Sequence, residues 1–193
     1  MKTRNAISMI LMGFIFIQCS KEAGNKGVIP QENVAPKELT KEDFKKIAEE
    51  TKKDLVGNLT KQLTENGAEK ALEFCNINAI PLTQKLEAEN GVTIKRVSDK
   101  NRNPENSANE TELKIIEQFK TQLAKKEELK ATMEDGVFYA PITTNAMCIQ
   151  CHGTENKDIK PEVLAKIKSL YPKDKATGYK ENELRGLMVI SRK

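Results

Sequence analysis

At 193 residues, the chain has room for one domain of ordinary size plus a tail, and two large domains are excluded because compact domains cluster at about 100 to 150 residues. Its 32 Lys and Arg against 28 Asp and Glu give a formal charge of +4, Phe and Tyr together number nine, and Trp is absent; this well-mixed, aromatic-poor pattern lacks the concentrated basic face of a nucleic-acid binder. With 38% hydrophobic and 31% charged residues, the composition fits a helix-rich globular domain, too apolar for a disordered chain and too polar for a multi-span membrane protein.

Residues 1–18 read as an export signal. Lys2 and Arg4 precede an apolar run from Ala6 to Ile17 that is broken only by Ser8 and Gly13. Twelve residues fall short of the about 20 needed to span a bilayer but suit the apolar centre of a signal peptide. Cys19 follows almost at once, with polar Ser20, Lys21 and Glu22 behind it. The pattern resembles the lipobox of bacterial lipoproteins, in which such a Cys receives a diacylglyceryl group, although Gln18 stands where a small residue is usual. Residues 19–38, carrying two Gly and two Pro among few apolar side chains, read as a lipid-anchored flexible tether. Residues 39–193 then form the folded domain, held in the periplasm or cell envelope by the N-terminal lipid.

Thr40 and Asp43 form a helix-start pattern, because a Thr hydroxyl can accept from free first-turn amides and an acid suits the positive end of the helix dipole. The helix carries Phe44, Ile47, Leu55, Leu59 and Leu63 on one stripe and should stop at Asn66-Gly67. A second helix from about Ala68 places Leu72, Cys75, Ala79, Leu82 and Leu86 on one face, with Pro81 expected to kink or divide it. Alternation over Val92–Val97 predicts a strand, and 98–109 a polar loop. Leu113, Ile116, Phe119 and Leu123 mark a third helix from about Asn109. Asp135-Gly136 predicts a hairpin between 130–134 and 137–142. Pro161 should open a short helix ending near Leu170, and 186–190 a terminal strand. The expected fold is α+β, a small antiparallel sheet with the long N-terminal helices packed on one face.

The chain has four cysteines, Cys19, Cys75, Cys148 and Cys151, and a single histidine, His152. Cys148-Ile149-Gln150-Cys151-His152 is the Cys-x-x-Cys-His attachment pattern of c-type haem. Two Cys three residues apart on a helical turn can each form a thioether to a porphyrin vinyl group, and the adjacent His can then ligate the iron. One covalent haem c is therefore the expected cofactor. A Cys148–Cys151 disulfide leaves His152 unexplained. A zinc site would need Cys75 as fourth ligand. A thioredoxin-like pair is disfavoured because the motif does not follow a recognisable strand at the start of a helix.

With one histidine, bis-histidine ligation is excluded, which leaves a methionine, Cys75, a lysine or an open position for the second axial ligand. Met147 is too close to the attachment motif to serve the opposite haem face. Cys75 lies on a core-facing stripe, where free Cys is often only a small hydrophobe. Arg96 and Arg102 are candidates to pair with haem propionates, or, for Arg102, to hold its loop. Tyr139 reads as a core residue.

The run Ala71–Ala79 around Cys75, the run Arg96–Asn106, Cys148–Gly153, Tyr171–Tyr179 and Arg185-Gly186 together resemble the Tll-type c-haem domain family, in the same order across most of residues 40–193. The resemblance implies a PAS-like fold, covalent haem, His152 as one axial ligand and Cys75 as the other. It also implies a redox or ligand-sensing role or one-electron transfer, with a redox partner or signalling protein as partner. Similar domains occur alone or ahead of signalling modules, and no such module is expected here. Substrate turnover is not expected; the competing readings are a peroxidase-like haem enzyme with an open distal position and a zinc-stabilised binding module.

Overall fold

The computed structural model describes residues 38–193. The signal at 1–18, Cys19 and the tether up to residue 37 lie outside the described residues.

Helix α1 (Lys41–Asn90) opens on a capping box: the Thr40 hydroxyl accepts from the Asp43 N–H, and the Asp43 carboxylate accepts from the Thr40 N–H at 2.8 Å. Both bonds satisfy first-turn amides that have no partner within the helix. The helix is interrupted at Gly67, whose φ of 78° and ψ of 174° are not helical. The expected stop is therefore real, and the chain re-enters a helix at once, as expected from about Ala68, giving two arms, 41–66 and 68–90. Pro81 does not divide the second arm, which stays helical through it. The ring removes the donor for the carbonyl of Ile77, and Ile77 is 69% exposed, so solvent can replace that bond.

Strand β1 (Val92–Val97) leads through a single 3-10 turn at Pro104–Asn106 to α2 (Glu110–Ala124), where Asn109 and Glu112 form a second capping box. Strands β2 (Thr132–Glu134) and β3 (Val137–Thr143) flank the Asp135-Gly136 turn, in which both residues are left-handed at φ 49° and 76°. This is the backbone a two-residue hairpin requires. Helices α3 (Ala146–His152) and α4 (Pro161–Leu170) follow, and β4 (Leu184–Arg192) closes the chain. The four strands make one antiparallel sheet in the order β1-β4-β3-β2, with Ile190 opposite both Ile94 and Phe138.

Because side chains alternate along a strand, the sheet has two apolar faces. Ile94, Phe138, Met188 and Ile190 meet Phe44, Ile47, Ala48 and Leu86 of α1, so the long N-terminal helix packs on one face as expected. Val97, Tyr139, Leu187 and Val189 meet Ile115, Ile116 and Phe119 of α2 on the other, a second layer that the sequence reading did not separate. A third cluster joins Leu72 on the second arm of α1 to Ile159, Val163, Leu164 and Ile167 around α4, with Cys151 packed against it. That cluster anchors α3 beside the second arm. No helix among the described residues is long and apolar enough to cross a membrane.

Candidate functional site

The Cys-x-x-Cys-His motif occupies most of α3. Asn145 caps the helix, its Oδ1 accepting from the Cys148 N–H and from the Cys148 thiol, both at 3.2 Å. His152 is the last helical residue, and Gly153 closes the turn by donating its N–H to Ile149 at 2.9 Å. Beyond it, the segment 174–179 folds back on the helix end: the Tyr179 N–H donates to the His152 carbonyl and the Gly178 N–H to the Gly153 carbonyl, each at 2.8 Å. The motif is thus pinned at both ends by backbone and side-chain bonds.

His152 Nδ1 lies 2.7 Å from the Ala176 carbonyl oxygen. A carbonyl can only accept, so Nδ1 carries the proton and Nε2 keeps its lone pair. Burial holds the imidazole well below its usual range, and the Arg102 and Arg185 charges act in the same direction. The ring is therefore neutral, in the tautomer that ligates a metal through Nε2.

Arg102 is buried behind the motif. Its Nη2 donates to the Cys151 carbonyl at 2.6 Å, to Asp174 Oδ2 at 3.1 Å and to the Ala176 carbonyl at 3.3 Å. Of the two roles weighed for Arg102, these bonds describe loop holding. Arg185 does similar work next door, donating to Ser98 Oγ at 3.0 Å and the Lys100 carbonyl at 3.1 Å, while its guanidinium and the Lys100 ammonium both lie over the Tyr179 ring. Tyr179 in turn meets the His152 ring edge-on at 6.2 Å between centroids.

Cys75, on the second arm of α1, is a half-buried free thiol, as are Cys148 and Cys151. Burial pushes the Cys75 thiol up, and the Arg96 guanidinium pulls against that rise. Cys151 is also pushed up by burial, opposed by Arg102, with Cys75 and Cys148 within electrostatic reach. Helix α1, strand β1 and helix α3 thereby bring Cys75, Arg96, Cys148 and Cys151 into one region. Tyr171, at the end of α4, lies within reach of Cys75, Arg96 and Arg102. Arg96 differs from Arg102: its side chain makes no hydrogen bond or ion pair among the described residues, and burial holds its guanidinium below its usual range.

The other candidates sort by burial. Met188 is in the core on the α1 face of the sheet, and Met133 packs against the same cluster. Met147 rests against α1, its sulfur 3.5 Å from the Thr60 hydroxyl. Tyr139 is a core residue on the α2 face. One ground for setting aside a dithiol redox pair fails, because β3 ends at Thr143 and α3 starts at Ala146, so the motif does follow a strand at the start of a helix.

The residues fit a covalent haem on three counts: two free thiols at the required spacing on one helix, a neutral imidazole with Nε2 unprotonated, and a half-buried arginine without a carboxylate partner among the described residues. Sequence reasoning missed Ala176 and Asp174 as parts of the site. Ala176 acts through its backbone, which residue identity does not reveal, and Asp174 could have been found only as a carboxylate needed by a buried arginine.

A family model described as Tll0287-like matches residues 21–192, the family to which the motifs pointed. A solved structure of the cyanobacterial heme-protein Tll0287 aligns with a TM-score of 0.60 at 23% identity, covering 79% of this chain and 96% of that chain; at that identity the likeness is one of fold. No curated protein matches the chain. With the model spanning the attachment motif, its supporting loop and all four strands, the chain belongs to the Tll0287-like family.

Proposed function

We propose that the protein is an exported, lipid-anchored c-type haem protein that acts in redox or ligand sensing or in one-electron transfer, without substrate turnover. The observation that carries this reading is the state of His152. Its Nδ1–H is committed to Ala176 at 2.7 Å, which leaves Nε2 as a ligand directly after two free thiols spaced for thioether attachment. A bound haem would supply the one-electron couple. Cys148 and Cys151 would hold it through thioethers, and His152 and Cys75 would ligate its iron. Arg96 would meet a propionate, which would give its guanidinium the carboxylate partner it lacks among the described residues. A thiolate from Cys75 would favour the ferric state and a low potential.

The zinc module is the weaker reading, because no group of three or more His, Cys, Asp and Glu side chains among the described residues could hold a metal ion. The test is a denaturing gel stained for haem after maturation in a periplasm that carries the c-type attachment machinery. The wild-type band should stain, and the Cys148→Ser, Cys151→Ser double variant should not. Staining of neither, or of both equally, contradicts the reading.

A further inference from the structure

Loop holding does not exhaust what Arg102, Asp174 and Ala176 do. The Asp174 carboxylate bridges two groups: Oδ1 accepts the Ala176 N–H at 2.8 Å and Oδ2 accepts from Arg102 Nη2 at 3.1 Å. The Ala176 carbonyl accepts from His152 Nδ1 at 2.7 Å and from Arg102 Nη2 at 3.3 Å. Ala176 is fully buried, so its peptide is fixed from both sides and water does not compete for its oxygen. The single acceptor of the His152 proton is therefore shared with a guanidinium, and that guanidinium is partly neutralised by a carboxylate.

The sharing has a chemical consequence. A carbonyl oxygen that also accepts from a cation is a weaker acceptor for the imidazole, so His152 keeps its Nδ1 proton more fully and donates less electron density through Nε2. The guanidinium also places positive charge behind the ligand, in a buried setting where charge is poorly screened. Both effects favour the reduced form of whatever Nε2 ligates. Asp174 works against both, by drawing Arg102 to itself and cancelling part of its charge.

We propose that Arg102 and Asp174 are positioning residues that set the electron donation of His152 through the Ala176 carbonyl, and with it the reduction potential of the bound haem. The proposal rests on the haem reading above. Arg102 acts as the raising arm and Asp174 as the lowering arm of one adjustable contact.

The test uses the full chain matured in the periplasm, as wild type, Arg102→Gln, Arg102→Lys and Asp174→Asn. Covalent haem content is measured first, then the midpoint potential by spectroelectrochemistry and the ferric electron paramagnetic resonance spectrum. Arg102→Gln should shift the potential down, Asp174→Asn should shift it up, and Arg102→Lys should lie closer to wild type than Arg102→Gln. The spread of ferric g-values should change in Arg102→Gln, because the imidazole hydrogen bond strengthens. Wild-type protein without covalent haem would overturn the functional reading itself. Covalent haem with equal potentials in all four proteins, or with both charge-removing variants shifted in the same direction, would overturn the role of the pair. If Arg102→Gln does not mature, Asp174→Asn, which keeps its shape, decides alone: an unchanged or lowered potential overturns the proposal.

Discussion

Gly153 shows how tightly single positions around His152 are set. A methyl group there would lie 2.5 Å from the Asp158 Cβ and 2.6 Å from both the side chain and the carbonyl of Ile149, so Gly153→Ala must push the end of α3 away from its loop. Overpacking of this kind costs about 1–3 kcal/mol, and urea unfolding should show a lowered midpoint with an unchanged slope; an unchanged midpoint would mean that the α3 end is loose. Cys75 offers a second test. Cys75→Ala should give a ferric spectrum that is high spin or shows a different sixth ligand, and a spectrum identical to wild type would remove Cys75 from the iron. At this scale the sequence was readable wherever chemistry resides in side chains. Cys148, Cys151 and His152 announced themselves by type and spacing. Arg102 was visible but ambiguous, since a guanidinium serves a propionate or a loop equally well until its partners are known. Ala176 was invisible, because a carbonyl belongs to every residue.

Among the elements, α1 carries the clearest device. Its two arms meet at Gly67, where φ is 78° and ψ 174°, a combination open essentially to glycine alone. Nothing lies within 4 Å of the position a Cβ would take, so the constraint is purely backbone. Gly67→Ala should therefore destabilise the domain by about 1–3 kcal/mol through misdirection of the second arm, which carries Leu72 onto α4. Equal stability by chemical denaturation, with α4 amides equally protected from hydrogen exchange, would contradict that account. The stop at Asn66-Gly67 was legible from composition. So was the second helix from about Ala68, through its apolar stripe, whereas the direction in which Gly67 sends that arm was not, because backbone angles are not written in residue type. Pro81 does not divide the second arm: the carbonyl it deprives of a partner belongs to Ile77, an exposed residue, and sequence does not state which side of a helix will be wet.

In the whole molecule, the sheet is covered on both faces, and an ion pair fastens the second layer. Lys120 of α2 reaches Asp99, just beyond β1, at 2.7 Å. Partial burial disfavours the Asp99 charge, but the Lys120 hydrogen bond and charge outweigh it and hold the carboxyl below its usual range. Lys120 is raised: burial works against its charge, while Asp99 and Glu117 more than compensate. For Asp99 the sign follows directly. Its contribution is fully present above the ordinary carboxylate range and is lost as pH falls through the lowered folded value. The Lys120 side chain is 39% exposed, so the effect is modest, roughly 0.2–1 kcal/mol. Asp99→Asn should flatten the acid side of the stability profile slightly, and an unaltered acid slope would remove the pair from the account. Two-sided packing was hard to read in advance because β3 and β4 are apolar on both faces, so alternation did not announce which helix covers which side.

Helix α3 carries Cys148, Cys151 and His152 together, and the proposed function turns on their holding haem covalently. The most direct measurement is the pyridine haemochrome spectrum of protein matured in the periplasm and denatured before the assay. The expected spectrum has the band position of a haem whose two vinyl groups are both saturated by thioethers, retained after acid-acetone extraction. Haem that extracts freely, or a preparation without any haem, would contradict it.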